Sequence, residues 1–170
     1  MQLFYTPDIN PDEYTLSKEE SRHCIQVLRK NIGEIIYLVD GKGGFYKAIL
    51  IGDDPKSCHL KIDKVERNYG KSDLHIHIAI APTKMNERFE WFLEKSTEIG
   101  INEITPIICE HSERKVLKLE RMNKILIAAM KQSKQAYLPK LNPAISFDSF
   151  VSNNTVDERY IAHCAENDEK

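Results

Sequence analysis

The sequence predicts an α/β chain, α+β over its whole length, in which a small β-barrel (residues 1–70) precedes an α/β unit (residues 71–170). Three observations predict it. Short apolar stretches separated by glycine turns fill the first part, as in small barrels. A polar break, Asn68-Tyr69-Gly70-Lys71-Ser72-Asp73, comes after them. Beyond the break the spacing changes to strand, helix, strand, the pattern of a βαβ unit.

Residues 2–5 read as a short strand, and Pro7 and Pro11 punctuate the segment after it. Ser17 and Glu20 fit the S-x-x-E capping box that opens a helix running to about Lys30, with Cys24, Val27 and Leu28 inward. Arg22, Gln26 and Arg29 share another face of that helix at i, i+4, i+7 spacing. Residues 35–39 and 45–51 read as strands joined by a hairpin turn, Asp40-Gly41-Lys42-Gly43-Gly44. That turn lacks a Walker pattern and opens no helix, which favours a plain hairpin over a phosphate cradle. Residues 58–63 form a third strand, with Cys58, Leu60 and Ile62 alternating with polar neighbours.

In residues 74–81, Leu74, Ile76, Ile78 and Ile80 alternate with His75, His77, Ala79 and Ala81. One face is bulky and the other mostly small, which predicts a strand covered on both sides. Asn86 is the expected N-cap of the next helix, Phe89, Phe92, Leu93 and Ser96 its buried stripe, and Gly100 its stop. Trp91 falls with Arg88, Lys95 and Glu98 on the opposite face, which predicts cover by a loop or a partner. Residues 104–109 read as the second strand. Pro106 within it cannot donate to a central ladder and predicts an edge or a bulge. A helix is expected over 119–137, stopped by Leu138-Pro139. Met122, Ile125, Leu126 and Ala129 form its inner stripe, with Arg121, Lys124 and Lys131 opposite. Residues 147–151 predict one helical turn, and 160–164 a last strand.

Composition narrows the function classes. An apolar fraction of 41% supports a packed core. No apolar run approaches the ~18 residues a membrane span needs, and the N-terminus carries no basic-then-apolar signal. Cys24, Cys58, Cys109 and Cys164 are scattered without a C-x-x-C, which suits reduced cysteines in a cytoplasmic protein. A net charge of −2 requires any nucleic-acid surface to be local. His75 and His77 share a strand face, but no third ligand stands at motif spacing, so no metal is expected. No G-x-S-x-G elbow supports a serine nucleophile.

Three motifs occur in a telling order: His23-x-x-x-Val27-Leu28-Arg29; KSTEIG followed by EITPIICEHSER over residues 95–114; and Ala128-Ala129-x-x-Gln132-Ser133 followed by Pro139. Together they resemble the ribosomal RNA small-subunit methyltransferase E family, over essentially the whole chain. The resemblance implies a PUA-like RNA-binding barrel followed by a SPOUT-like α/β domain. It implies methylation of N3 of one uridine in 16S ribosomal RNA, with S-adenosyl-L-methionine as methyl donor, and a homodimer. Uridine N3 carries a proton that must leave, and the sequence names no base for it. The RNA-facing set expected on this footing is Arg22, His23, Arg29, Lys84, Arg88, Arg114, Arg121, Lys124 and Lys131. For His23, a packing role weighs equally with an RNA-facing one. Lys131 and Gln135 depart from the glutamate and arginine the family often has there.

The family's G-P-E-G-G loop and its L-G-x-R-x-L-R-x-E-T run are both absent from these residues. The expectation is an α/β domain lacking its C-terminal knot, with His163 and Cys164 at the start of the first cofactor loop and little activity on its own. A non-catalytic RNA-binding module is the alternative, and a scaffold protein without an RNA role is a third reading.

Overall fold

The computed structural model describes residues 1–10, 12–153 and 158–162. The first sheet has five strands: β1 (Leu3–Tyr5), β2 (Glu13–Thr15), β3 (Ile35–Val39), β4 (Phe45–Asp54) and β5 (Ser57–Glu66), in the order β1-β3-β4-β5-β2. β1 runs parallel to β3 and the other pairs are antiparallel. The long β4 and β5 shift register twice, at Lys47/Ala48 and Leu50/Gly52. Such bulges increase local twist and help a sheet curl. Phe4, Leu16, Ile36, Leu38, Tyr46, Leu50 and Leu60 fill its interior with Cys24 and Cys58. Burial pushes the Cys24 thiol up to about 12, so it stays protonated and acts as a small hydrophobe.

The helix after Ser17 is shorter and wider than expected. Ser17 Oγ accepts from the Glu20 amide at 3.3 Å, one half of the capping box, while the Glu20 carboxylate turns to Lys131 instead of back to Ser17. The α-helical part, α1, covers only Lys18–Arg22. It then loosens into a π-helical turn, His23–Val27, closed by Leu28 N–H to His23 carbonyl at 3.0 Å. The wider turn ends the i, i+4, i+7 ridge, and Arg29 leaves the helix in a left-handed conformation (φ 55°).

The second sheet is parallel. It contains β6 (His77–Ile80), β7 (Glu103–Ile108), β8 (Lys140–Leu141) and β9 (Ile145–Ser146). Two long helices, α2 (Asn86–Glu98) and α3 (Leu119–Ser133), pack on one face through Phe89, Leu93, Ile104, Met122 and Leu126. A short α4 (Phe147–Asn153) follows β9, and its Phe150 ring lies edge-on to His77 on the other face.

Several expectations change here. β6 is four residues long, and Leu74 (69% exposed) and Ile76 lie outside it in solvent. Asn86 is the first helical residue of α2 rather than its cap. Trp91 is 63% exposed, with no loop over it among the described residues. α3 stops four residues short of Tyr137, because Lys134 turns left-handed (φ 60°) and closes the helix on the Met130 carbonyl. Tyr160 (90% exposed), Ile161 and Ala162 form no strand, and His163 and Cys164 lie outside the described residues.

Pro106 sits in the central strand, not at an edge. β8 pairs with Glu103 and Ile104, and β9 with Ile107 and Ile108, so the partner strand is interrupted opposite Thr105 and Pro106. Glu103 N–H points to the Ile76 carbonyl, while Ile104 accepts from Asn142 on the other side. That alternation turns the Pro106 nitrogen toward the interruption, where no ladder bond is lost.

The two sheets meet through the loop expected to be a plain hairpin. Gly43 N–H donates to the Ala136 carbonyl at 2.9 Å, and Leu138 N–H donates to the Gly41 carbonyl at 3.0 Å. Lys42 and Tyr137 thereby form an isolated antiparallel bridge. Beneath it Leu3, Val39, Met130 and Ala136 are buried together, with Tyr69 stacked on Phe45 at 4.6 Å. A side chain on Gly43 would meet the Tyr137 ring at 2.3 Å, at φ 93°. Gly33 has a similar φ of 91° with nothing within 4 Å. Gly43→Ala is therefore expected to cost about 1–3 kcal/mol more than Gly33→Ala, since only the first adds a clash to backbone strain. Urea denaturation of the two variants checks the difference.

Candidate nucleic-acid interface

The structure distributes the basic candidates over three regions. In the first sheet, Arg22 is exposed and its Nε donates to Gln26 Oε1 at 2.8 Å. Arg29 is exposed at the left-handed turn. His23 lies between them, half-buried, edge-on to Phe4 with ring centroids 6.0 Å apart. Its Nε2 is buried and has no hydrogen-bond partner among the described residues. A π-turn and a left-handed arginine both hold the backbone away from its lowest-energy form, and such features concentrate at functional sites.

The second region is the loops after β6 and β7. Lys84 Nζ pairs with Glu113 at 3.1 Å, and Arg114 Nη2 donates to the Lys84 carbonyl at 2.8 Å. The third is the outer side of α2 and α3. Arg88 is exposed. Arg121 Nε lies 2.8 Å from Glu90, and Lys124 lies 3.2 Å from Glu120. Exposed pairs of this kind stabilise little and open readily to a competing anion.

Lys131 differs from the rest. Its Nζ is 2.6 Å from Glu20 Oε1, and the two side chains are only 18% and 17% exposed. It also sits 5.9 Å from the centroid of Phe4, whose edge contact with His23 completes the group. Lys131 thus ties α3 to α1. The helical wheel misses this because a polar face looks the same whether it meets water or another sheet's helix.

A polar network occupies the amino ends of β6 and β7, around a cleft of about 330 Å³. His77 Nε2 lies 2.7 Å from Thr105 Oγ1, and Asn142 Nδ2 donates to Thr105 Oγ1 and Glu103 Oε1, each at 2.7 Å. Lys140 Nζ reaches Glu103 at 2.9 Å. Burial lowers the His77 pKa, with Glu103 opposing. Burial raises that of Glu103, but the bonds from Asn142 and Lys140 outweigh it and hold it low.

Among the described residues no group of three or more His, Cys, Asp or Glu could hold a metal ion, and no helix is long and apolar enough to cross a membrane. All seven glycines of the chain lie at or before Gly100. The loops after β7, β8 and β9 therefore lack the residue that lets a cofactor approach the backbone closely.

Residues 70–170 match the family model of an RNA methyltransferase domain, and residues 16–63 that of an RNA methyltransferase PUA domain. A ribosomal RNA small subunit methyltransferase E from Buchnera aphidicola is 28% identical over 95% of this chain and 67% of its own length. The crystal structure of a probable rRNA-methyltransferase from Porphyromonas gingivalis superposes with a TM-score of 0.85 and 40% identity, covering 91% of this chain and 65% of that one. A ribosomal RNA small subunit methyltransferase E from Neisseria gonorrhoeae, bound to S-adenosyl methionine, superposes with a TM-score of 0.80 and 28% identity, covering 91% and 66%. The chain spans about half to two thirds of the length of the curated relatives it matches.

The geometry sets two expected outcomes. Lys131→Met should destabilise the chain by about 1–3 kcal/mol, between the exposed and buried limits for a broken pair, and leave the salt dependence of RNA binding unchanged. Chemical denaturation and a salt titration of binding read both. For His77, the lowered pKa means the unfolded chain binds the proton more readily. Its contribution is complete above the ordinary value of 6.5 and is lost as pH falls through the folded pKa. The denaturation midpoint should fall from about pH 6.5 downward, and His77→Gln should remove that first decline. The Glu103 contribution is lost only at still lower pH, below the ordinary 4.5.

Proposed function

Since this chain belongs to the RNA methyltransferase family, with a PUA-like barrel followed by a SPOUT-like α/β domain, we propose that it acts in S-adenosyl-L-methionine-dependent methylation of small-subunit ribosomal RNA. The site of modification on this reading is N3 of a uridine in 16S rRNA. The observation that carries it is the joint match of both sheets to the two halves of one family, with solved relatives holding the methyl donor.

The division of labour rests on the chemistry of the side chains. Arg22, His23 and Arg29 on the barrel, with Lys84, Arg88, Arg114, Arg121 and Lys124 on the α/β unit, form the RNA-facing set. Lys131 is left out because Glu20 holds it. The boundary between the units falls near residues 70–74, after β5 ends at Glu66 and before β6 begins at His77. A homodimer, with Trp91 and the exposed Ile99 of α2 against the second copy, and a cytoplasmic site of action complete the reading.

The cofactor supplies an electrophilic methyl group. The described residues offer no glycine loop for it, and His163 and Cys164 lie outside them. No catalytic step is therefore assigned to this chain's residues.

The test is made in the source cell. Deletion of the gene should remove one 3-methyluridine from small-subunit ribosomal RNA, read by nucleoside mass spectrometry. Unchanged 3-methyluridine would overturn the enzyme reading. In parallel, calorimetry of these 170 residues with S-adenosylmethionine should show no micromolar binding, and a micromolar Kd would place the cofactor site within them.

A further inference from the structure

The loops after β6 (81–85) and β7 (109–118) border a shallow, open cleft of about 460 Å³ lined by Lys84, Glu113, Arg114, Lys115 and Val116. They leave the carboxyl ends of two adjacent parallel strands, the end of an α/β sheet at which ligands bind. Arg114 is held there by its Nη2 bond to the Lys84 carbonyl at 2.8 Å. That bond ties the guanidinium to the loop after β6. The Nε–H is buried and has no acceptor among the described residues. A cationic donor left unpaired out of water is destabilising, and a negatively charged oxygen is its natural partner. Lys84 and Lys115 stand at the rim with Glu113, so three cations face one carboxylate, a net charge of +2 in a chain of net charge −2. The rim pair Lys84–Glu113 is largely exposed, so an entering anion can take the lysine from the carboxylate.

We propose that this cleft takes one backbone phosphate of the bound RNA, with the Arg114 guanidinium as its donor and Lys84 and Lys115 as the cations that close over it. Arginine suits the task because its planar fork can hold the Lys84 carbonyl with one edge and a phosphate oxygen with another. Glu113 opposes the anion. It weakens the site and makes occupancy depend on displacing the Lys84 pair. The proposal rests on the RNA reading of this chain and adds the group that is gripped.

The test uses the whole chain, a short oligouridylate and inorganic phosphate. Oligouridylate should shift the Arg114 Nε–H resonance, and inorganic phosphate should shift it more weakly. Arg114→Lys keeps the charge but lacks the fork. It should weaken oligouridylate binding about ten-fold, and Arg114→Gln should also lower the slope of log affinity against log salt by about one. Glu113→Gln should strengthen binding by several fold, a gain that misfolding would not produce. Unchanged affinity and slope in both Arg114 variants, with no gain in Glu113→Gln, would overturn the proposal. A response to phosphate with oligouridylate binding indifferent to Arg114 would make the cleft a free-anion site and overturn the RNA assignment. A shift with phosphate and no binding of oligouridylate by the unaltered chain would sink the RNA reading itself, while the anion site stood.

Discussion

The Asp40 carboxylate holds the two sheets in one arrangement. Oδ1 accepts from the amides of Lys42 and Gly44, at 2.7 and 2.8 Å, and Oδ2 accepts from the Tyr46 hydroxyl at 3.0 Å. Arg67 approaches the same oxygen at 3.7 Å. These bonds shape residues 40–44 so that Gly41 and Gly43 present a carbonyl and an amide to Leu138 and Ala136. Without that shape the bridge between Lys42 and Tyr137 would lose its register, and α3 would lose its seat beside β1. A buried carboxylate accepting from backbone amides is the kind of group that fixes one geometry rather than adding general stability.

Local signals are legible in the sequence and partner-dependent ones are not. The N-cap at Ser17, the bounds of β3 and the inner stripes of α2 and α3 each come from spacing within one element. The loop at 40–44 looks like a turn because its glycines also suit a turn, and nothing near them names residues 136–138. Lys131 looks solvated because Glu20 lies in another helix of another sheet. Leu74 and Ile76 continue the alternation of β6 into a segment that pairs only through the Ile76 backbone with Asn102 and Glu103. Pro106 conflicts with a central strand on local grounds, and the resolution lies in an interruption of the neighbouring strand.

Of the candidate interface, the residue types are visible in the sequence and the pairing is not. Most of its cations carry an acidic or amide neighbour: Arg22 with Gln26, Lys84 with Glu113, Arg121 with Glu90, Lys124 with Glu120. At the three ion-paired positions the positive charge is masked at a distance and becomes available only where an anion displaces the partner. That fits a chain whose net charge is negative, and it limits non-specific attraction to other polyanions. His23 Nε2 and Arg114 Nε are buried without a hydrogen-bond partner among the described residues, and no spacing rule would have singled out those atoms.

The contact between Gly43 and Tyr137 has an evolutionary consequence. Each position limits what the other can hold: the ring leaves no room for a β-carbon, and the missing β-carbon lets the ring approach the loop this closely. Among homologous chains the two columns should drift together, a bulkier residue at the first being tolerated only beside a smaller one at the second. Such a paired change would mark a lineage in which the sheets have been re-docked, even where every strand and helix kept its own local pattern.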